Sequence, residues 1–218
     1  MILEGLVVGM FQSNCYVVGS ETTSEAIVID PGEEAKRILA LLERLHLKAE
    51  AVVVTHAHVD HIGALESVRE ATGASVAMHR EAFDSSRKDA PLLRAMLGID
   101  TGDLSEPGLY LEDGDKLTLG DIEFEVVFCP GHAFGHICIY GEGVVFTGDA
   151  LFAGGIGRFD LPGGDGKLLY QSIRDKLLTL PEDTIVLPGH GPSSTIGEEK
   201  RTNPFLLNPR MYMGIDVD

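Results

Sequence analysis

Ala51-Val52-Val53-Val54-Thr55-His56-Ala57-His58-Val59-Asp60-His61 is the stretch from which the rest of the chain can be read. Residues 51–54 form an apolar β-branched run that reads as a buried strand. The six residues from His56 to His61 then hold three imidazoles and a carboxylate. Ile62-Gly63-Ala64-Leu65-Glu66-Ser67-Val68 reads as the start of a helix that runs to about Thr72, where Gly73 stops it. The polar cluster therefore falls on a strand-to-helix loop at the carboxyl end of a strand, where open α/β sheets place their sites. Neutral imidazole nitrogen and carboxylate oxygen are donors that zinc and iron accept. The competing reading is a surface loop rich in histidine, and the rest of the chain has to decide between them.

Upstream, residues 2–9, 14–19 and 24–30 read as strands, with Gln12-Ser13-Asn14 as a polar turn and Asp30-Pro31-Gly32 as a turn signal. Ala35, Ile38, Leu39, Leu42 and Leu45 keep the spacing of one apolar helix face. Downstream, residues 74–79 make a short strand. Residues 80–108 are more polar, with helical stretches at 80–88 and 90–97, and read as an excursion beside the site that could act as a partial lid. His79, at its root, is read as structural. Residues 116–119 and 122–128 form a hairpin, and 136–140, 144–147 and 184–187 are further strands. Helices are expected at 166–179 and 196–202. Alternation of strands and helices early, with hairpins in the middle, points to mixed sheets with helices packed outside.

The 218 residues, 44% hydrophobic and 23% charged, suit one compact domain spanning 1–218, with no linker, repeat or composition shift. No apolar run approaches the ~20 residues of a membrane span, and Met1-Ile-Leu-Glu-Gly-Leu-Val-Val lacks the basic region of a signal peptide. A cytoplasmic protein is expected. The net charge of −17 opposes binding to nucleic acid or an anionic membrane surface. Cys15, Cys129 and Cys138 are too few and too scattered for a disulfide framework or a four-thiolate zinc site, and are read as buried apolar residues.

Three more polar residues stand at ends of apolar strands: His132 in Pro130-Gly131-His132, Asp149 in Gly148-Asp149, and His190 in Pro188-Gly189-His190-Gly191. With the first loop, four strand ends deliver five histidines and two aspartates. Seven donors exceed what one tetrahedral zinc uses. They match two metals that share a bridging carboxylate.

These motifs, together with Gly148-Asp149-Ala150-Leu151-Phe152, Ser194-Thr195-Ile196-Gly197-Glu198-Glu199 and Asn203-Pro204-Phe205, resemble the metallo-β-lactamase superfamily. Within it they are similar to the glyoxalase II (hydroxyacylglutathione hydrolase) enzymes of the short bacterial type. The resemblance implies a four-layer αβ/βα sandwich: two mixed β-sheets with helices on the outer faces. It implies two divalent metal ions, zinc first and iron or manganese also compatible. His56, His58 and His132 would hold one ion, and Asp60, His61 and His190 the other, with Asp149 bridging. Asp60 and Asp149 are then the catalytic carboxylates, and a metal-bridging hydroxide attacks a thioester such as S-lactoylglutathione. Thr55 and His136 would orient the donors.

Arg158 in the Gly-rich loop falls where the family places a basic residue for the glutathione part, and its forked guanidinium suits a carboxylate. The alternative is a surface arginine paired with Asp160 or Asp165. The helical segment that longer family members carry between the last His motif and Asn-Pro-Phe is missing here, so no separate C-terminal helical domain is expected and the preference for glutathione is open. The expected partner is a small thioester, and a homodimer is compatible with the reading. The strongest rival is a glutathione persulfide dioxygenase with one iron held by His56, His132 and Asp149. A hydrolase of another ester or thioester is a further alternative. A β-lactamase of this superfamily would usually show a cysteine among the donors of the second metal, where this chain has Asp60 and Asp149.

Overall fold

The computed structural model describes residues 1–97 and 104–216, with backbone only over 89–97. The first half of the chain builds one sheet from β1 (Ile2–Val8), β2 (Ser13–Gly19), β3 (Glu25–Ile29), α1 (Ala35–Arg44), β4 (Lys48–Val53), α2 (Val59–Ile62), α3 (Leu65–Thr72), β5 (Ser75–Met78), α4 (Arg80–Leu97) and β6 (Leu109–Tyr110). The strands lie in sequential order. β1, β2 and β3 pair antiparallel, and β3 to β6 pair parallel through helical crossovers.

The second half supplies β7 (Lys116–Leu119), β8 (Ile122–Phe128), β9 (Ile137–Gly141), β10 (Val144–Gly148), a ribbon of β11 (Leu151–Phe152) and β12 (Gly155–Ile156), α5 (Gly166–Ser172), β13 (Ile185–Pro188), β14 (Ser194–Thr195), α6 (Ile196–Thr202), α7 (Pro204–Leu207) and α8 (Pro209–Met213). The second sheet runs β14-β13-β10-β9-β8-β7. Only its β10–β13 pair is parallel.

Alternation within the apolar runs explains the layers. Ile27, Ile29 and Val53 face Phe124, Val126, Ile139 and Phe146 in a core between the sheets. Their neighbours Val28, Val52 and Val54 point the other way, under α1 and α3 with Ile38, Leu42 and Val68. Cys138, Val145 and Val186 make the corresponding outer core with Leu169, Ile173 and Ile196. A strand buried on both faces cannot alternate polar with apolar, which is why residues 51–54 read as a continuous apolar run. The result is the expected sandwich, helices–sheet–sheet–helices.

Three local expectations shift. The helix after β4 starts earlier, at Val59, so Asp60 and His61 already lie on a helical turn, and Gly63-Ala64 separates it from α3. The helix expected over 166–179 starts with Asp165 accepting from the Leu168 N–H, but beyond Ser172 it widens, with the Leu178 N–H donating to the Ile173 carbonyl. The two helical stretches expected at 80–88 and 90–97 are one helix, α4. Its first turns pack Ala82 and Phe83 into the outer core of the first sheet. Residues 98–103 of the expected excursion lie outside the described residues. No described helix is long and apolar enough to cross a membrane.

Candidate metal centre

In the second sheet β8, β10 and β13 run in one direction, so their carboxyl ends meet at one edge. There they face the loop after β4. The Thr55 carbonyl accepts from the Ile137 N–H (2.9 Å), and Ser13 pairs with His190 in an isolated bridge. All seven donors expected from sequence converge at this edge, six of them in two groups with Asp149 between. His56, His58 and His132 form one, and Asp60, His61 and His190 the other; within each, the donor atoms lie within 4.8 Å of one another.

The hydrogen bonds leave the donor lone pairs facing inward. His132 Nδ1 donates to the Arg158 carbonyl (2.7 Å), which leaves Nε2 as the free donor, 3.0 Å from His58 Nδ1. His56 Nδ1 lies 3.1 Å from the Thr55 hydroxyl, and its Nε2 lies 3.1 Å from the same His58 nitrogen. His61 Nδ1 contacts Asp30 Oδ2 at 3.1 Å, so its Nε2 points to Asp60 Oδ2 (3.6 Å) and Asp149 Oδ1 (3.5 Å). Asp149 stands between the groups: its Oδ2 is 3.6 Å from both His132 Nε2 and His190 Nε2. Backbone must come very close for this. A Cβ at Gly189 would strike the Asp149 carboxylate, and one at Gly157 the Asp149 carbonyl.

The electrostatics differ between the groups. Burial and the surrounding imidazoles push His56 and His132 down and His58 to about 4, so the first group is neutral, the form that binds a cation. At His61 burial acts in the same direction, but Asp149 and Asp30 outweigh it and raise the group. Burial opposes ionisation of Asp149, yet His61, His132 and His190 hold its carboxyl well below the usual range.

The donor set fits a metal cation. His61 Nε2 and Asp149 Oδ1 are buried without a hydrogen-bond partner, although they face each other. Buried polar atoms without a partner are costly, and a cation between them removes that cost.

Several residues that sequence reading treated as turns belong to the centre's frame. Asp30 accepts from the Thr55 N–H (2.7 Å) and hydroxyl (2.6 Å) as well as touching His61. A signal was there: Asp30 closes an apolar strand as Asp149 does. Ser13 and Asn14 begin β2. The Ser13 hydroxyl donates to the Asp60 carbonyl (2.6 Å), and Asn14 Nδ2 donates to the Pro188 and Gly191 carbonyls (both 2.9 Å). The Tyr16 hydroxyl joins them at Pro188 (2.8 Å). His136 Nε2 accepts from the Asp149 N–H (3.1 Å), which puts the ring proton on Nδ1 and makes it a positioning residue. His79 stacks on Phe128 and stays away from the centre. The three cysteines are free and buried.

A cavity of about 570 Å³ opens onto the centre. His58, Asp60, His132, Asp149 and His190 line it from the metal side, and Phe11, Val59, Phe152, Leu161 and Arg158 complete it. Arg158 is exposed and forks onto Asp160, at 2.8 and 2.9 Å. No described residue of 80–108 lines the cavity.

The family model of the metallo-beta-lactamase superfamily matches residues 8–190, a span that takes in both donor groups. The chain belongs to the metallo-beta-lactamase superfamily. Hydroxyacylglutathione hydrolase GloC of Haemophilus influenzae is 40% identical to it over 215 residues, covering 94% of this chain and 98% of the relative. Among solved structures, BLEG-1 B3 metallo-beta-lactamase aligns with a TM-score of 0.85 at 38% identity, over 94% of this chain and 99% of that one. TTHA1623 in a di-iron-bound form aligns with a TM-score of 0.84 at 40% identity, over 93% and 100%. As a superfamily member, the chain is a metallo-hydrolase-type protein with a histidine-rich candidate metal site.

Proposed function

We propose that this chain is a two-metal hydrolase of thioesters, with S-lactoylglutathione the first substrate to test. The observation that carries the reading is the position of Asp149, one carboxylate facing imidazoles of both donor groups. His56, His58 and His132 would hold one ion, Asp60, His61 and His190 the other, and Asp149 both. When bound, such a pair supplies a hydroxide near neutral pH and positive charge against a developing oxyanion. The chain's own groups do the rest. Thr55, Asp30 and the Arg158 carbonyl fix the imidazole tautomers. Among the described residues the cavity lining holds no serine, threonine, cysteine or lysine, so no side-chain nucleophile of those types competes for the role. Arg158 would receive a substrate carboxylate in exchange for Asp160.

The likeness to GloC supports the thioester, and the likeness to TTHA1623 supports two metals while keeping iron beside zinc and manganese. The likeness to BLEG-1 supports one second reading, hydrolysis of a β-lactam by the same centre.

Metal analysis of the purified protein, run beside assays of thioester hydrolysis, of a chromogenic cephalosporin, and of oxygen uptake with glutathione persulfide, tests these together. Two ions per chain with thioester turnover is the expected result. One iron with oxygen uptake overturns it in favour of a dioxygenase. Asp149→Asn should impair binding of both ions, and retention of two tightly held ions refutes the bridge. Arg158→Ala should raise KM for an anionic thioester more than it lowers kcat.

A further inference from the structure

With the carboxylate of the thiol half at Arg158, as in the function proposed above, we propose that the acyl half of the substrate is apolar and lies against Phe11, Val59, Phe152 and Leu161. This rests on thioester hydrolysis as the reaction of the site. Beyond the metal-side donors, the described lining of the cavity carries one cation and four apolar side chains. The apolar wall is built into the fold. Val59 is 7% exposed and sits between the donors His58 and Asp60 on α2. Phe152 lies on the β11–β12 ribbon with its ring edge-to-face with His190, centroids 6.3 Å apart. Phe11, on the β1–β2 turn, is 42% exposed and stands at the cavity mouth.

Carrier thiols of the glutathione class bring carboxylates, and Arg158 is the one described group in the lining that can pair with them. That leaves the apolar wall to the acyl half. No described side chain on that wall is a hydroxyl or amide that could pair with the α-hydroxyl of a hydroxyacyl group, so the wall rewards methylenes and not the hydroxyl. Every acyl group undergoes the same step: water adds its oxygen to the carbonyl carbon, the carbon–sulfur bond breaks, and the products are a carboxylate, a thiol and one proton.

The test uses the metal-loaded full chain and glutathione thioesters of acetate, propionate, butyrate, hexanoate and lactate. kcat/KM should rise about fourfold per methylene through butyrate, the value of one buried CH₂. Propionyl should match or exceed lactoyl. S-alkylglutathione thioethers, which cannot be hydrolysed, should show the same slope in Kd by calorimetry, and Phe11→Ser, at an exposed turn, should flatten it. A flat wild-type slope in Kd, a lactoyl preference of more than about threefold over propionyl, or a slope that appears only when the thiol half is lengthened overturns the assignment. Should no thioester be cleaved by protein holding two ions, the reaction reading fails, and the thioether slope alone decides whether the wall exists.

Discussion

Both carboxylate oxygens of Asp30 are directed at the loop that follows β4. One accepts from the Thr55 N–H, the other from the Thr55 hydroxyl, and the latter also touches His61 Nδ1. The residue is 2% exposed, so water cannot replace any of these contacts. Asp30 thus sets the ring plane and tautomer of His61, and through Thr55 it bears on His56. Outer partners of metal-binding histidines are typically worth 10- to 100-fold in affinity. Asp30→Asn should therefore weaken binding of the ion at His61 by roughly that factor, measured by competition with a chromogenic chelator. The first group, His56, His58 and His132, should lose less. Equal affinity at both positions in the variant would remove Asp30 from the frame. The candidate donors were legible in the sequence because histidines and aspartates after apolar strands are rare and repeat in the same place, and the fold brings them together. Asp30 was not, because aspartate before Pro-Gly has an ordinary reading as a turn, and only the tertiary approach of His61 gives it another.

The β11–β12 ribbon shows the same limit for a whole element. It is two residues per strand, too short to carry a hydrophobic pattern. What holds it comes from far along the chain. Glu199, 1% exposed, accepts from the Gly154 N–H (2.9 Å) and from Asn203 Nδ2 (2.8 Å), and also bonds the Ser194 hydroxyl. Asn203 Nδ2 reaches the Gly155 carbonyl (2.9 Å), and its Oδ1 caps α7 by accepting from the Phe205 N–H. The motifs at 194–199 and 203–205 were visible in the sequence only as a family likeness. Here they have a physical task, which is to anchor Gly154 and Gly155 of the ribbon that carries Phe152. Glu199→Ala leaves one N–H of the buried Asn203 amide without an acceptor, at a cost of about 1–3 kcal/mol, and removes the less buried bonds to Gly154 and Ser194. A fall in Tm of about 2–12 °C is expected for a chain of this size. KM should rise with both ions retained. Loss of metal with unchanged KM would show that the network serves the centre and not the ribbon.

At the scale of the molecule, the donors are divided between the sheets. The first sheet's loop brings His56, His58, Asp60 and His61; the second brings His132, Asp149 and His190. The four-layer sandwich followed from the family resemblance, and mixed sheets with helices packed outside were readable from the alternation of strands and helices and from the hairpins. The pairing of one sheet's edge with the other's was not, because nothing local in the sequence records which strand ends face each other. Two kinds of tie now cross that gap. One is protein alone: Asn14 and Tyr16 on the Pro188 carbonyl, the Asn14 N–H on the Gly189 carbonyl (2.7 Å), and the apolar core between the sheets. The other is the shared donor set, in which His61 Nε2 from one sheet's loop and Asp149 Oδ1 from the other sheet are buried without a hydrogen-bond partner. A ligand that binds only the folded state at 1,000 times its Kd stabilises by about 4 kcal/mol. Stripping the metals with a chelator should then lower Tm by roughly 8–16 °C. The far-UV circular dichroism at 25 °C should stay unchanged, since the protein-only ties remain. Unfolding at 25 °C on chelation would mean that the ions alone join the sheets. An unchanged Tm, with metal analysis confirming removal, would mean that the native donor set does not hold them.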